Sequence, residues 1–169
     1  MKLEGPVLYA WLAALIDGEG SVMLNKRTVS ERMQKIRRHA RRNVHYRATV
    51  SICNTNYDLM TALVSNTGID RVYQHRINGP KDRPRARASW TWRLAHDDSR
   101  EWLPLIRPFL VLKGPQVDLL LEALNIKRQI TPGNAGFHPS ERGKLITRLG
   151  VIYATIRKLN TKGRSLGNE

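Results

Sequence analysis

Two carboxylates stand close together near the start of the chain: Asp17 and Glu19, in the sequence Asp17-Gly18-Glu19-Gly20. They follow an uncharged run, Val7-Leu8-Tyr9-Ala10-Trp11-Leu12-Ala13-Ala14-Leu15-Ile16. Gly5-Pro6 opens that run, with proline placed where its missing N–H does no harm, so it reads as a helix. Being apolar all round, the helix is expected to be buried on every side. Glu19 then falls just past its C-terminus, where the helix dipole disfavours an anion by about 0.3–1 kcal/mol. Ala10, Ala13 and Ala14 share one face at i, i+3 and i+4, and such small residues let a second helix approach closely. If two such helices pair, two Glu19 carboxylates converge, which is costly unless a cation sits between them. Hard oxygen ligands of this kind suit Mg²⁺. Asp17 reads equally well as a residue that fixes the turn.

Leu12-Ala13-Ala14-Leu15-Ile16-Asp17-Gly18-Glu19-Gly20 resembles the nine-residue signature that names the LAGLIDADG family, with every position identical or conservatively varied. The apolar lead-in from Tyr9 extends the likeness. The resemblance implies an intron-encoded homing endonuclease that cuts double-stranded DNA. In that family the last acidic position of the motif, here Glu19, binds the metal, and the backbone carbonyl of Gly18 contributes. The ion implied is Mg²⁺, with Mn²⁺ as a substitute and Ca²⁺ supporting binding with little turnover. Val50-Ser51-Ile52-Cys53-Asn54-Thr55-Asn56 resembles the family's second strand entering its second helix, which makes Asn54 the amide that orients water near the metal. Pro108-Phe109-Leu110-Val111-Leu112-Lys113 is similar to the segment ending in a basic residue at the rim of the active site. By that match Lys113 stabilises phosphate charge or polarises the water. Plainer roles stand beside these: an N-cap for Asn54 and a helix C-terminal lysine for Lys113. The likeness spans Tyr9 to Leu124, and the residues beyond it are structural by default.

The elements that must hold these groups can be read from periodicity. Ser21, Met23, Asn25 and Arg27 alternate with Val22 and Leu24, and His45, Arg47, Thr49, Ser51 and Cys53 alternate with Tyr46, Ala48, Val50 and Ile52. Both patterns are those of strands with one polar face. Asn54-Thr55-Asn56 ends the second strand and caps a helix carrying Leu59, Met60, Leu63 and Val64, which Gly68 stops. Further strands are expected over Arg71–Ile77 and Ala86–Leu94, the latter with Arg87, Ser89, Thr91 and Arg93 opposite Trp90 and Trp92. Helices should then run from Asp97-Asp98-Ser99 to about Leu112, from Gly114-Pro115 through Leu124, and from about Pro139 to Asn160. The fold class is α+β, a single αββαββα domain over residues 1–160 with additional C-terminal helices. The resemblance implies that the four strands form an antiparallel sheet shaped as a DNA-binding saddle, and residues 161–169 are expected to fray.

Composition agrees with a nucleic-acid partner. The 169 residues carry 29 Lys and Arg against 14 Asp and Glu, a formal charge of +15, and a surplus that large on one domain points to a polyanion. The single cysteine, Cys53, excludes an internal disulfide and a thiolate zinc site. The ten-residue apolar run is too short to span a bilayer, and its flanks fit a signal peptide poorly, so no membrane partner is expected and the mature chain is read as starting at or near Met1. A strand of nine residues extends to about 30 Å, close to the roughly 34 Å of one DNA turn. Base-contact candidates on the polar parity are Asn25, Arg27, His45, Arg47, Thr49, Ser51, Tyr73, His75, Arg87, Ser89 and Thr91, with Arg47 and Arg87 the natural guanine readers. Arg32, Lys35, Arg37, Arg38, Arg41 and Arg42, in an Arg-rich arm over 30–43, suit phosphates. Only one signature is present, so a paired site requires a homodimer and a near-palindromic target. Two alternatives remain: an intron maturase that binds intron RNA on the same fold, and a DNA-binding regulator without cleavage.

Overall fold

In a computed structural model of the chain, residues 2–28, 44–75, 88–130 and 139–162 are described. The elements are α1 (Gly5–Glu19), β1 (Gly20–Thr28), β2 (Val44–Asn54), α2 (Tyr57–Thr67), β3 (Val72–His75), β4 (Ser89–Leu94), α3 (His96–Ile106), a 3₁₀ turn (Arg107–Phe109), α4 (Gly114–Ile130) and α5 (Pro139–Lys162). The architecture is α+β, as the alternating and helical periodicities require. The Arg-rich arm, Arg38 included, lies outside the described residues, as do Ile77, Ala86 and Arg87.

The four strands form one antiparallel sheet in the order β1-β2-β4-β3. Val22, Leu24, Tyr46, Ala48, Val50, Ile52, Trp92 and Leu94 fill its apolar face and are buried under the helices. That layer joins Leu12 and Ile16 of α1, Met60 and Leu63 of α2, and Leu103, Val117, Leu120 and Leu124 of α3 and α4 in one core. The indole of Trp92 donates from Nε1 to the carbonyl of Ile69 at 3.0 Å, so this fully buried ring leaves no polar atom stranded. The segment after Leu124 belongs to the same core through Leu149, Ile152 and Ile156 of α5. Near the end of α5, Asn160 donates from Nδ2 to the carbonyl of Val22 at 2.9 Å, on the edge strand β1. α5 also takes in Thr161 and Lys162, two residues expected to belong to the frayed tail.

Three expectations change. α1 is not buried on every side: Leu8, Leu12, Ala13 and Ile16 face the core, whereas Val7, Ala10 and Ala14 are exposed. The α1 helix includes Glu19, with Gly20 as its cap, so the carboxylate ends the helix rather than following it. The α3 helix stops at Ile106 instead of reaching Leu112. Pro104 lies inside it and Pro108 follows, and neither can donate a backbone hydrogen bond. Among the described residues no helix is long and apolar enough to cross a membrane.

Candidate active site and nucleic-acid interface

The end of α1 is where the motif residues meet the rest of the chain. As the chain leaves the helix it presses so closely on the preceding turn that a Cβ at position 20 would sit 2.6 Å from Ile16 Cα, which only Gly20 avoids. Glu19 is exposed, and its Oε2 accepts a short hydrogen bond from Asn54 Nδ2. The other end of the Asn54 amide, Oδ1, accepts from the backbone N–H of Asn56 at 2.7 Å. Asn54 is therefore fixed at both ends, by the backbone of Asn56, two residues past β2, and by the carboxylate of α1. The helix cap itself is Asn56, whose side chain accepts from Asp58 N at 2.8 Å. Asn54 is thus not the N-cap of α2.

Asp17 holds a second junction. Its carboxylate accepts backbone N–H groups from Val111, Leu112 and Lys113 at 2.7, 3.1 and 2.8 Å. This is a further reason why residues 111–113 leave the helical path: their donors go to a side chain instead of to the preceding turn. Burial alone would raise the Asp17 pKa, but the three N–H groups and the charge of Lys113 outweigh it and hold the carboxyl below its ordinary value. Lys113 returns the contact, donating from Nζ to the carbonyls of Ile16 and Asp17 at 2.6 and 2.7 Å. Its ammonium thus caps α1, where a cation is favoured. Burial lowers the Lys113 pKa, opposed by Asp17. On the far side of this loop, Arg107 grips Asp118 through two bonds of 2.6 and 2.7 Å, tying the 3₁₀ turn to α4.

Glu19, Asn54 and Lys113 therefore gather at one end of α1, with Gly18 exposed beside Glu19. Of the three alanines, Ala10 and Ala14 lie on the open face of that helix. Ala13 does not: it is completely buried in the chain's own core and offers no surface to a second helix.

The polar face of the sheet carries the remaining candidates. Asn25 pairs with Arg47 and Arg27 with His45 across β1 and β2, and Tyr73 pairs with Thr91 and His75 with Ser89 across β3 and β4. Arg27, His45, Arg47, Tyr73 and His75 are exposed, with Asn25 and Ser89 half-buried. Thr49, Ser51 and Thr91 are buried despite their parity, so direct base contact is not open to them. Longer neighbours use two of these hydroxyls: Asn25 Nδ2 donates to Thr49 Oγ1 at 3.1 Å, and His75 Nε2 lies 2.7 Å from Thr91 Oγ1. These contacts hold the longer side chains in place on the polar face.

Asp17 and Arg93 also contribute here. Asp17 shapes the 111–113 loop. Arg93, on the same parity as Thr91, lines a polar groove with Met23, Asn25, Lys26, Arg27, Arg47 and Thr49. The alternation of β4 already placed Arg93 on this face.

The sheet order, the helix ending in Glu19 and the loop carrying Lys113 define a class: the chain has the LAGLIDADG homing-endonuclease fold. It is similar to the homing endonuclease I-CvuI in complex with its target, with 15% identity, a TM-score of 0.63, and 91% of this chain and 82% of that one covered. It is also similar to the archaeal intron-encoded homing endonuclease I-Vdi141I complexed with DNA, at 14% identity, TM-score 0.53, and 90% and 96% coverage. A third likeness is to the I-SmaMI LAGLIDADG homing endonuclease bound to cleaved DNA, at 16% identity and TM-score 0.53, over 81% of this chain and 42% of that one. No protein-family model and no curated protein sequence matches the chain.

Proposed function

We propose that the chain is a site-specific DNA endonuclease that acts as a homodimer and hydrolyses both strands of a long, near-palindromic duplex with divalent metal ions. The observation that carries this reading is the single exposed carboxylate of Glu19, braced by Asn54 at the end of a helix whose small-residue face, Ala10 and Ala14, is open. One chain supplies only part of a metal site. Among the described residues no three His, Cys, Asp or Glu side chains gather, and Glu19 Oε1 has no partner. A second copy packed on the open face of α1 would bring a second carboxylate. The 42% of the I-SmaMI chain that this one covers supports pairing, since that longer chain has room for two such units.

The oxygen donors, Glu19 and the Gly18 carbonyl, fit a hard ion such as Mg²⁺. When bound, the ion would offset the charge of the reacting phosphate and acidify a water. The chain's own residues set the geometry. Asn54 fixes the rotamer of Glu19, Asp17 fixes the loop, and Lys113 adds positive charge at the same end of α1. The basic, polar sheet face meets the major groove, where base pairs are distinguishable, and the complexes of I-CvuI with its target and of I-Vdi141I with DNA support DNA as the partner here. A single-stranded RNA partner would favour several aromatics on that face. Tyr73 is the one Phe, Tyr or Trp there among the described residues, which favours duplex DNA.

The decisive experiment offers a randomised duplex library with Mg²⁺ and sequences the cleaved ends. Recovery of a long, near-palindromic site, cut in both strands and protected by excess chelator, is the expected result. Specific binding with no cleavage in any divalent ion would instead leave a regulator.

A further inference from the structure

We propose that Arg93 reads a guanine in the major groove about three base pairs outward from the reacting phosphates; this rests on the sheet being the duplex-binding surface. Arg93 lies on β4, an inner strand, opposite Ser51 of β2. Its guanidinium carbon sits 5.2 Å from the ring centroid of Tyr73, which backs the planar fork with a π-face. Its Nε is the one buried side-chain nitrogen or oxygen without a hydrogen-bond partner among the described residues. Among the described residues, the groove it lines contains three other cations, Lys26, Arg27 and Arg47, and no carboxylate. Among the described residues this charged five-donor fork thus has no anion beside it, and one of its donors is stranded. A buried donor left unmade is costly, and an acceptor entering the groove relieves it once the tip of the side chain turns outward.

Position decides between a base and a phosphate. The sugar–phosphate strands border the major groove, so edge strands and loops meet them, whereas inner strands face the base edges. Guanine is the base that offers two acceptors, N7 and O6, to an arginine fork. Spacing gives the location. Ser51 precedes Asn54 by three residues, about 10 Å at roughly 3.3 Å each, and Asn54 touches Glu19. At about 3.4 Å per base pair this is about three steps.

The test sequences both the bound and the cleaved pools of a randomised duplex library, with wild type, Arg93→Ala and Arg93→Gln. Wild type should show guanine at one column about three base pairs from each cut. Arg93→Ala should reduce that preference by roughly 5- to 150-fold and leave the other columns intact. Arg93→Gln should move the same column towards adenine. The untouched columns report that each variant is folded. An unchanged column would overturn the assignment, and so would a uniform loss of affinity with a smaller salt slope, the mark of a phosphate contact. A guanine column in bound but uncleaved DNA would remove the nuclease reading while supporting this one. Failure to retain any duplex would remove both.

Discussion

Asp17 and Lys113 clasp each other through their main chains: the carboxylate of Asp17 accepts the backbone N–H of Lys113 at 2.8 Å, and Nζ of Lys113 donates to the backbone carbonyl of Asp17 at 2.7 Å. The two residues are 96 positions apart. Each thereby fixes the other's backbone rather than merely its charge, and the motif helix and the 111–113 loop form one rigid corner.

That corner should titrate. The folded-state pKa of Asp17 is held below its unfolded value, so its contribution to stability is complete above the unfolded pKa of about 3.9 and disappears as pH falls through the lower folded value. Asp17→Ala should destabilise the protein by roughly 1–3 kcal/mol near neutrality, since three backbone donors lose their acceptor. Denaturant titrations of both proteins should converge as the pH drops below about 4. A constant gap down to the lowest pH reached would mean that the carboxylate charge contributes nothing.

Glu19→Gln keeps the shape of the site but removes the anion. Cleavage should fall by more than about 100-fold, while duplex affinity holds or rises because the site has lost one negative charge. Parallel gel-shift and cleavage assays separate the two quantities. A variant that cuts at near wild-type rate would refute Glu19 as a metal ligand.

Lys113→Met should affect two quantities together. Ile16 and Asp17 lose a charged donor at the end of α1, so the melting temperature should fall along with the single-turnover rate. Asn54→Ala should slow cleavage by about 10- to 100-fold by freeing Glu19, and it also removes the side-chain acceptor of the Asn56 N–H. If Lys113→Met lowers only the melting temperature, its role is confined to capping.

The alanines of α1 separate assembly from folding. Ala14→Leu, on the open face, should leave the melting temperature of the monomer nearly unchanged but prevent dimerisation and cutting. Ala13→Leu overpacks a core position that has no free surface and should cost about 1–3 kcal/mol of stability. Sedimentation and thermal unfolding on both variants give the comparison. Equal behaviour of the two would mean that α1 pairs with nothing.

The strands and helices were legible because alternation and apolar spacing are local, and β1, β2 and α2 lie close to where the pattern put them. What was not legible depended on distance. Ala13 and Ala14 look alike in a sequence, and only the packing of α1 decides which one faces the core. Thr49 and Thr91 have the parity of readers, yet burial depends on how Asn25 and His75 lie over them. Asp17 looked like a turn residue until the loop 94 to 96 positions away was placed against it. Arg93 was visible on its face, but its stranded Nε was not.

The bond from Asn160 to Val22 has a practical consequence for anyone shortening or fusing this chain. β1 borders the sheet, and an uncovered border strand is a template on which further chains can stack. Asn160 occupies one of its carbonyls, and Lys26 places a charge on the same strand. A form cut back before Asn160 would expose that border and should precipitate on concentration, even though every residue at the end of α1 remained in place.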